Sequence, residues 1–298
     1  MSTDADTAVV LAPGGWRERE AAHHARVDAL LAGHLERARR GEKHPVEDFL
    51  FTYYSHRPAQ LRRWHPGAGV VLVGADERAA WRDHVEVDLG DGERGVAVDV
   101  PGFVARRAEA LAHVRALLAA TAARPAQLGC FGLHEWAMVY RQAPDAVRHA
   151  AWPLRLGAAG TDAVVEAHRI RCSHFDAYRF FTPEAAPRNA LRPARANAVA
   201  LEQPGCLHAT MDLYKFAYKL TPAVPSELVA DAFELARDVR ELDMRASPYD
   251  LSALGYEPVR IETPEGKAEY VAAQRGFAER GAELRTRLLG VVERVAAD

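Results

Sequence analysis

Each of the three cysteines in this chain stands just upstream of a histidine, and an acid follows each histidine. The segments are Cys130-Phe131-Gly132-Leu133-His134-Glu135, Cys172-Ser173-His174-Phe175-Asp176 and Cys206-Leu207-His208-Ala209-Thr210-Met211-Asp212. Thiolate, imidazole and carboxylate are the side chains that bind transition metals and move protons at neutral pH. Their spacing matches no zinc finger, and a cysteine among apolar neighbours is also a common small core residue. Either way, the chemistry of the middle third of the chain is that of an enzyme site.

Helical geometry sharpens the third segment. His208, Asp212, Lys215 and Lys219 fall on one narrow stripe, and Ala209, Leu213, Phe216 and Leu220 form the apolar stripe beside it. Pro204-Gly205 places His208 near the helix N-terminus, where the dipole disfavours imidazolium and leaves a ring able to ligate or accept a proton. A solvated face is the alternative. The second segment continues as His174-Phe175-Asp176-Ala177-Tyr178-Arg179-Phe180-Phe181, three aromatics beside His, Asp and Arg, which suits a pocket with apolar walls and few polar groups. If extended, it puts His174, Asp176 and Tyr178 on one face, whereas a helix separates them. Arg188, Arg192 and Arg195 share a tract without an acid and are candidate phosphate contacts. Asp243, Arg245 and Asp250 lie where a helix ends in a turn, and a structural ion pair is expected there.

Several signatures are absent. The chain has no Gly-x-Gly-x-x-Gly after a strand, no phosphate-binding Walker loop, no His-Glu-x-x-His and no Gly-x-Ser-x-Gly. Nucleotide cofactors and serine-hydrolase chemistry are therefore not indicated.

The elements that must position these residues are mostly helical. Ala, Leu, Arg and Glu at helical spacing predict a helix from 16 to about 40, helical pattern resumes near 103, and Ser226 reads as the cap of another helix. Thr263-Pro264-Glu265 is a start signal for a last helix. Between 67 and 100 the short β-branched runs around Val71, Val87 and Val98, with Gly90-Asp91-Gly92 between the last two, predict a hairpin. The expected fold is therefore mainly α (α+β): one helical domain over 16–298 with a small antiparallel β element around 68–100, preceded by a disordered N-terminus over 1–15. A chain of 298 residues buries enough surface to need no staples, and three cysteines give no disulfide framework. Thirty-eight Lys and Arg against 41 Asp and Glu leave a net charge of −3, so no global field draws the chain to polyanions. Acids near the start argue against an export signal, and no apolar run reaches the roughly 18 residues of a membrane span. A cytoplasmic location is expected.

The stretches HPVEDFLFTYYSHRPAQLRRWHPG (44–67), LGCFGLHEWAMVYRQ (128–142), RCSHFDAYRFFTPEA (171–185), EQPGCLHATMDLYKFAYKL (202–220), ELDMRASPYDLSALGY (241–256) and IETPEGKAEY (261–270) resemble an actinobacterial family labelled 3-methyladenine DNA glycosylase. The resemblance runs over roughly 16–295. It implies a DNA repair hydrolase that removes alkylated adenine from duplex DNA without a cofactor. The chain has no helix-hairpin-helix Leu-Pro-Gly-Val-Gly loop and no two-helix repeat, so residue roles come from the reading above. For that reaction, Asp176 or Asp212 would activate water or steady the oxocarbenium charge. Tyr178, Phe181 and Trp136 would stack on the displaced base beside Arg179, and Arg188, Arg192 and Arg195 would hold phosphates. The alternative is a metal-dependent enzyme acting on a small molecule. There His134, His174 and His208 would bind Zn, Fe or Cu, Asp176 or Asp212 would complete the shell, and Glu135 would act as acid or base. A binding protein with a structural polar centre is the third expectation.

Overall fold

A computed structural model describes residues 8–143 and 151–297. Among these, eleven helices and four strands form a mainly helical fold with a small β element. The helices are α1 (Pro13–Arg40), α2 (Phe49–Tyr53), α3 (Pro58–Arg62), α4 (Val100–Ala122), α5 (Leu133–Ala137), α6 (Gly157–Ala167), α7 (Phe175–Tyr178), α8 (Ala198–Leu201), α9 (Leu207–Lys219), α10 (Ser226–Arg245) and α11 (Pro264–Ala297). The strands are β1 (Val9–Leu11), β2 (Val70–Val73), β3 (His84–Gly90) and β4 (Glu93–Val98), in the order β1-β2-β4-β3.

The β element is mixed where an antiparallel one was expected. β3 and β4 form the hairpin, turning at Gly90, Asp91 and Gly92, all at positive φ. β2 pairs antiparallel with β4, but its other edge takes Val9–Leu11 in parallel. The expected disorder over 1–15 is thereby corrected for the described part: 9–11 is a strand and Pro13 opens α1. Residues 1–7 lie outside the described residues. The sheet is pinned to α1 through the Trp16 indole, which donates to the Val73 carbonyl at 2.9 Å.

α9 is the axis of the helical part, packed against both α10 and α11, and α4 packs on α11. Nearly every residue from Leu207 to Tyr218 is buried, on all sides of the helix. A helix buried all round must have each polar side chain answered by another polar group. Apolar Met211, Leu213, Tyr214 and Phe216 meet the main core, so His208, Asp212 and Lys215 have to converge on a polar centre. No Ser, Thr or Asp caps α9; Cys206 stands at its N-cap. The approach is fixed instead by Gln203, whose Oε1 accepts from the Gln127 and Gly205 amides at 2.8 and 2.7 Å, and by Gln274, which donates to the Gly205 carbonyl at 2.6 Å.

Gly205 leaves no room for a side chain, since a Cβ there would lie 2.6 Å from the Gln127 carbonyl oxygen. Gly205→Ala is expected to push the start of α9 off this loop and cost about 1–3 kcal/mol, the usual range for overpacking. Urea denaturation measures it, and an unchanged midpoint would show that the loop yields freely.

One local expectation fails at α10. Ser226 lies inside the first turn, and its hydroxyl serves the chain at 63–65, accepting from the His65 amide at 2.8 Å and donating to the Arg63 carbonyl at 3.1 Å. Tertiary contact has taken the hydroxyl that sequence assigned to a cap.

Candidate functional site

Four elements deliver histidines and acids to one buried centre. α5 has five residues, all buried, and it follows Phe131 and Gly132, both at positive φ. That reversal turns His134 and Glu135 inward together. α9 brings His208 and Asp212, α10 brings Arg240 and Asp243, and the chain before α7 brings His174. His134, His174, His208, Asp212 and Asp243 are each at most 7% exposed, so their charges must be balanced inside the protein.

The centre has two halves that meet at His208. In the first, Nε2 of His134 lies 2.9 Å from Oδ1 of Asp243, with the His208 ring centroid 4.5 Å from that of His134 and edge-on to it. One ligating atom from each of His134, His208 and Asp243 falls within 4.8 Å of the others. The His134–Asp243 contact is an ion pair between two buried atoms, neither of which has a hydrogen bond to any other group among the described residues. Behind it, Arg240 Nη1 donates to Asp243 Oδ2 at 2.9 Å and to Glu135 Oε1 at 3.0 Å. Burial opposes ionisation of Asp243, but His134 outweighs it, with help from Arg240, and the carboxyl stays well below its usual range. His134 is the converse: burial pushes it down, and Asp243 carries it well above an ordinary histidine. His208 is held far below by burial and then by His134, so its ring is neutral.

In the second half, Asp212 is the hub. Its Oδ1 accepts from the Tyr54 hydroxyl at 2.9 Å, and its Oδ2 accepts from His174 Nε2 at 3.2 Å and from the Lys215 ammonium. Lys215 also reaches Asp176 at 3.5 Å, and His174 lies 3.6 Å from Glu202. Burial would raise the Asp212 carboxyl, but Lys215 and His174 hold it far below its usual range. Burial raises Glu202 instead. The rings of His174 and His208 are 5.3 Å apart, which joins the halves.

All three thiols face the first half. Cys130, Cys172, Cys206, His134, His208 and Tyr270 line a cavity of about 10 Å³, roughly the space of one water molecule. The thiols are unbridged, and Cys130 Sγ is 3.9 Å from His134 Nδ1. Burial, and after it the neighbouring thiols, pushes Cys172 well up. The Tyr270 hydroxyl is buried without a partner, another polar group left open beside the cavity.

The expected residues thus divide. His134, His174, His208 and Asp212 come together, with Asp176 at the edge through Lys215. Glu135 stands one step back, held by Arg240. Tyr178 leaves the group because 175–178 is a helical turn, so the extended alternative does not apply; its hydroxyl donates to the Ala186 carbonyl and its ring packs on Phe181. Trp136 is fully buried and donates to the Ala246 carbonyl at 2.8 Å. Arg179 pairs with Asp176 at 3.2 Å. The Arg tract is dispersed: Arg188 lies over Tyr140, Arg195 over Phe175, and Arg192 donates to backbone carbonyls of its own loop. Lys219 lies at the other end of α9 and does not join.

Asp243, Arg240, Glu202, Tyr54 and Tyr270 complete the centre and were not singled out from sequence as part of it. Asp243 was read as a helix-end ion pair, and the signal that could have found it is Arg240, one turn earlier on the same face. Tyr54, far away in sequence, carried no signal. No family model, no curated protein and no solved structure matches this chain.

Proposed function

We propose that this chain is a metal-dependent enzyme acting on a small molecule, with His134, His208 and Asp243 as the protein ligands of one transition-metal ion. The observation that carries this reading is that one ligand atom from each of His134, His208 and Asp243, all three residues buried, lies within 4.8 Å of the others, with His134 Nε2 and Asp243 Oδ1 2.9 Å apart. Atoms this close can serve one cation, which would displace the proton that His134 holds against Asp243. Two imidazoles and a carboxylate suit zinc or iron, and a coordination position left open suits catalysis. Such an ion would supply Lewis-acid polarisation of a bound oxygen. The chain's own groups do the rest. Arg240, anchored by Glu135, orients Asp243, and outer partners of this kind set ligand geometry. The thiols and Tyr270 close the cavity side and restrict what enters.

Elemental analysis of protein purified without added metal tests this. Near one equivalent of zinc, iron or copper is expected, falling to background in a His134→Ala, His208→Ala double variant. A metal-free protein that also takes up none of these ions on addition would overturn the reading.

A second reading, removal of alkylated adenine from DNA, is favoured by Asp212, a buried carboxylate kept ionised as stabilisation of an oxocarbenium charge requires. The cavity at the centre, about 10 Å³, holds about one water, so a displaced base here, like a small-molecule substrate in the first reading, enters only if the surrounding elements move. Release of methyladenine from methylated duplex DNA, abolished by Asp212→Asn with the metal content unchanged, would establish this reading over the first.

A further inference from the structure

At the far end of α9 from His208, a surface basin of about 370 Å³ is lined by side chains that include His56, Arg63, His65, Arg107, Tyr218 and Lys219. This volume lies within the range of small-ligand sites. The lining holds three cations and no carboxylate. Arg19, Arg62, Arg106, Arg141 and Arg280 elsewhere on the surface are each paired with an acid, whereas among the described residues no salt bridge holds Arg63, Arg107 or Lys219. Arg107 donates one Nη to the Lys219 carbonyl at 2.8 Å, Arg63 lies over the Trp81 ring at 5.6 Å, and neither contact neutralises charge. A concave surface lined by one sign of charge concentrates its field on whatever enters.

The floor is as specific as the rim. His56 and Tyr218 are stacked, centroids 4.5 Å apart and planes within 8°, and both are at least nine-tenths buried. Nδ1 of His56 is tied to the Tyr214 hydroxyl at 2.9 Å, which fixes the ring and leaves Nε2 for the basin. Nδ1 of His65 is buried without a partner. Burial keeps both rings neutral at pH 7, with His56 lowered to about 4 and His65 to about 3, so either can accept or donate one hydrogen bond.

We propose that this basin binds the phosphomonoester of a small aromatic molecule, its dianion held by Arg63, Arg107 and Lys219 and its ring against the His56–Tyr218 wall. A terminal phosphate carries up to two charges and three acceptor oxygens, which matches three cations lining one basin better than a single-charged diester does. This inference does not rest on the metal centre, since the length of α9 from His208 to Lys219, about 16 Å at 1.5 Å per residue, separates the two.

Titration calorimetry with phenyl phosphate at constant ionic strength tests it, with phenol and a single-stranded oligonucleotide lacking terminal phosphates as comparisons. One phenyl phosphate per chain is expected to bind saturably, phenol not to bind, and Arg63→Gln and Lys219→Gln each to weaken binding roughly tenfold, the loss of one charge-assisted contact. Both side chains are exposed, so the variants should keep the thermal midpoint of the wild type. Unchanged affinity in the double variant, equal binding of phenol, or binding of the oligonucleotide but not of phenyl phosphate would each overturn the proposal. The last outcome would make the basin a groove for a nucleic-acid backbone.

Discussion

Asp243→Ala is expected to destabilise the chain by about 3–5 kcal/mol, the range for removing one partner of a buried ion pair. Asp243 is fully buried, and it answers two groups at once: His134 Nε2 and Arg240 Nη1, each 2.9 Å away. Without it, Arg240 keeps only Glu135, and the imidazole that Asp243 held above its usual range loses the reason to stay charged. The shape-conserving Asp243→Asn separates two effects. It keeps the volume and one donor–acceptor contact, so its cost should be smaller, but it removes a charged ligand. If a metal ion is bound here, chelation should lower the melting temperature of the wild type and leave that of Asp243→Asn unmoved, because only the former has binding energy to lose. Urea denaturation and a melting scan with and without chelator measure these quantities. A cost below about 1 kcal/mol for Asp243→Ala would mean that the first half is not the electrostatic keystone described here.

Asp212→Ala is expected to cost as much, about 3–5 kcal/mol, for a related reason in the second half. It strips Lys215, His174 and Tyr54 of their shared acceptor, and Lys215 is left with Asp176 at 3.5 Å. The pH dependence has a definite sign. The folded-state carboxyl of Asp212 titrates far below the 3.8 of a free aspartate, so its contribution is fully present above that value and fades as pH falls toward the folded-state value. The difference in stability between wild type and Asp212→Ala should therefore be full at pH 7 and shrink below about pH 4. In contrast to Asp243→Asn, Asp212→Asn should keep the metal, because Asp212 faces Lys215 and His174 rather than the His134–His208 pair. Loss of metal in Asp212→Asn would return the centre to the ligand set expected from sequence, in which Asp212 completes the shell.

The two halves differ in how charge is arranged. In the second, Lys215 closes the balance within the protein, with Asp212 and Asp176 on either side of one ammonium. In the first, His134 and Asp243 balance one another beside a neutral His208, and a cation would take the place of the single His134 proton. That asymmetry is why the metal proposed above is placed on His134, His208 and Asp243, and why His174 is read as a partner of Asp212.

What sequence alone determined was local. The periodicity of α1, the Thr263-Pro264 start of α11, the Gly90-Asp91-Gly92 hairpin and the stripe of His208, Asp212 and Lys215 along α9 each depend on residues a few positions apart, and each is present in the structure. Recurrence of histidine after each cysteine likewise marked the three segments that line the cavity. Only the tertiary structure decided which acid answers which histidine. His134 and Asp243 are more than a hundred positions apart, as are Tyr54 and Asp212, and no spacing rule reaches across such a distance. The physical reason is the burial of α9 on every side: each inward polar group had to find a partner on whichever helix packed against it. Packing thus chose Asp243 from α10, turned Tyr178 away in a helical turn, and placed Trp136 in the core.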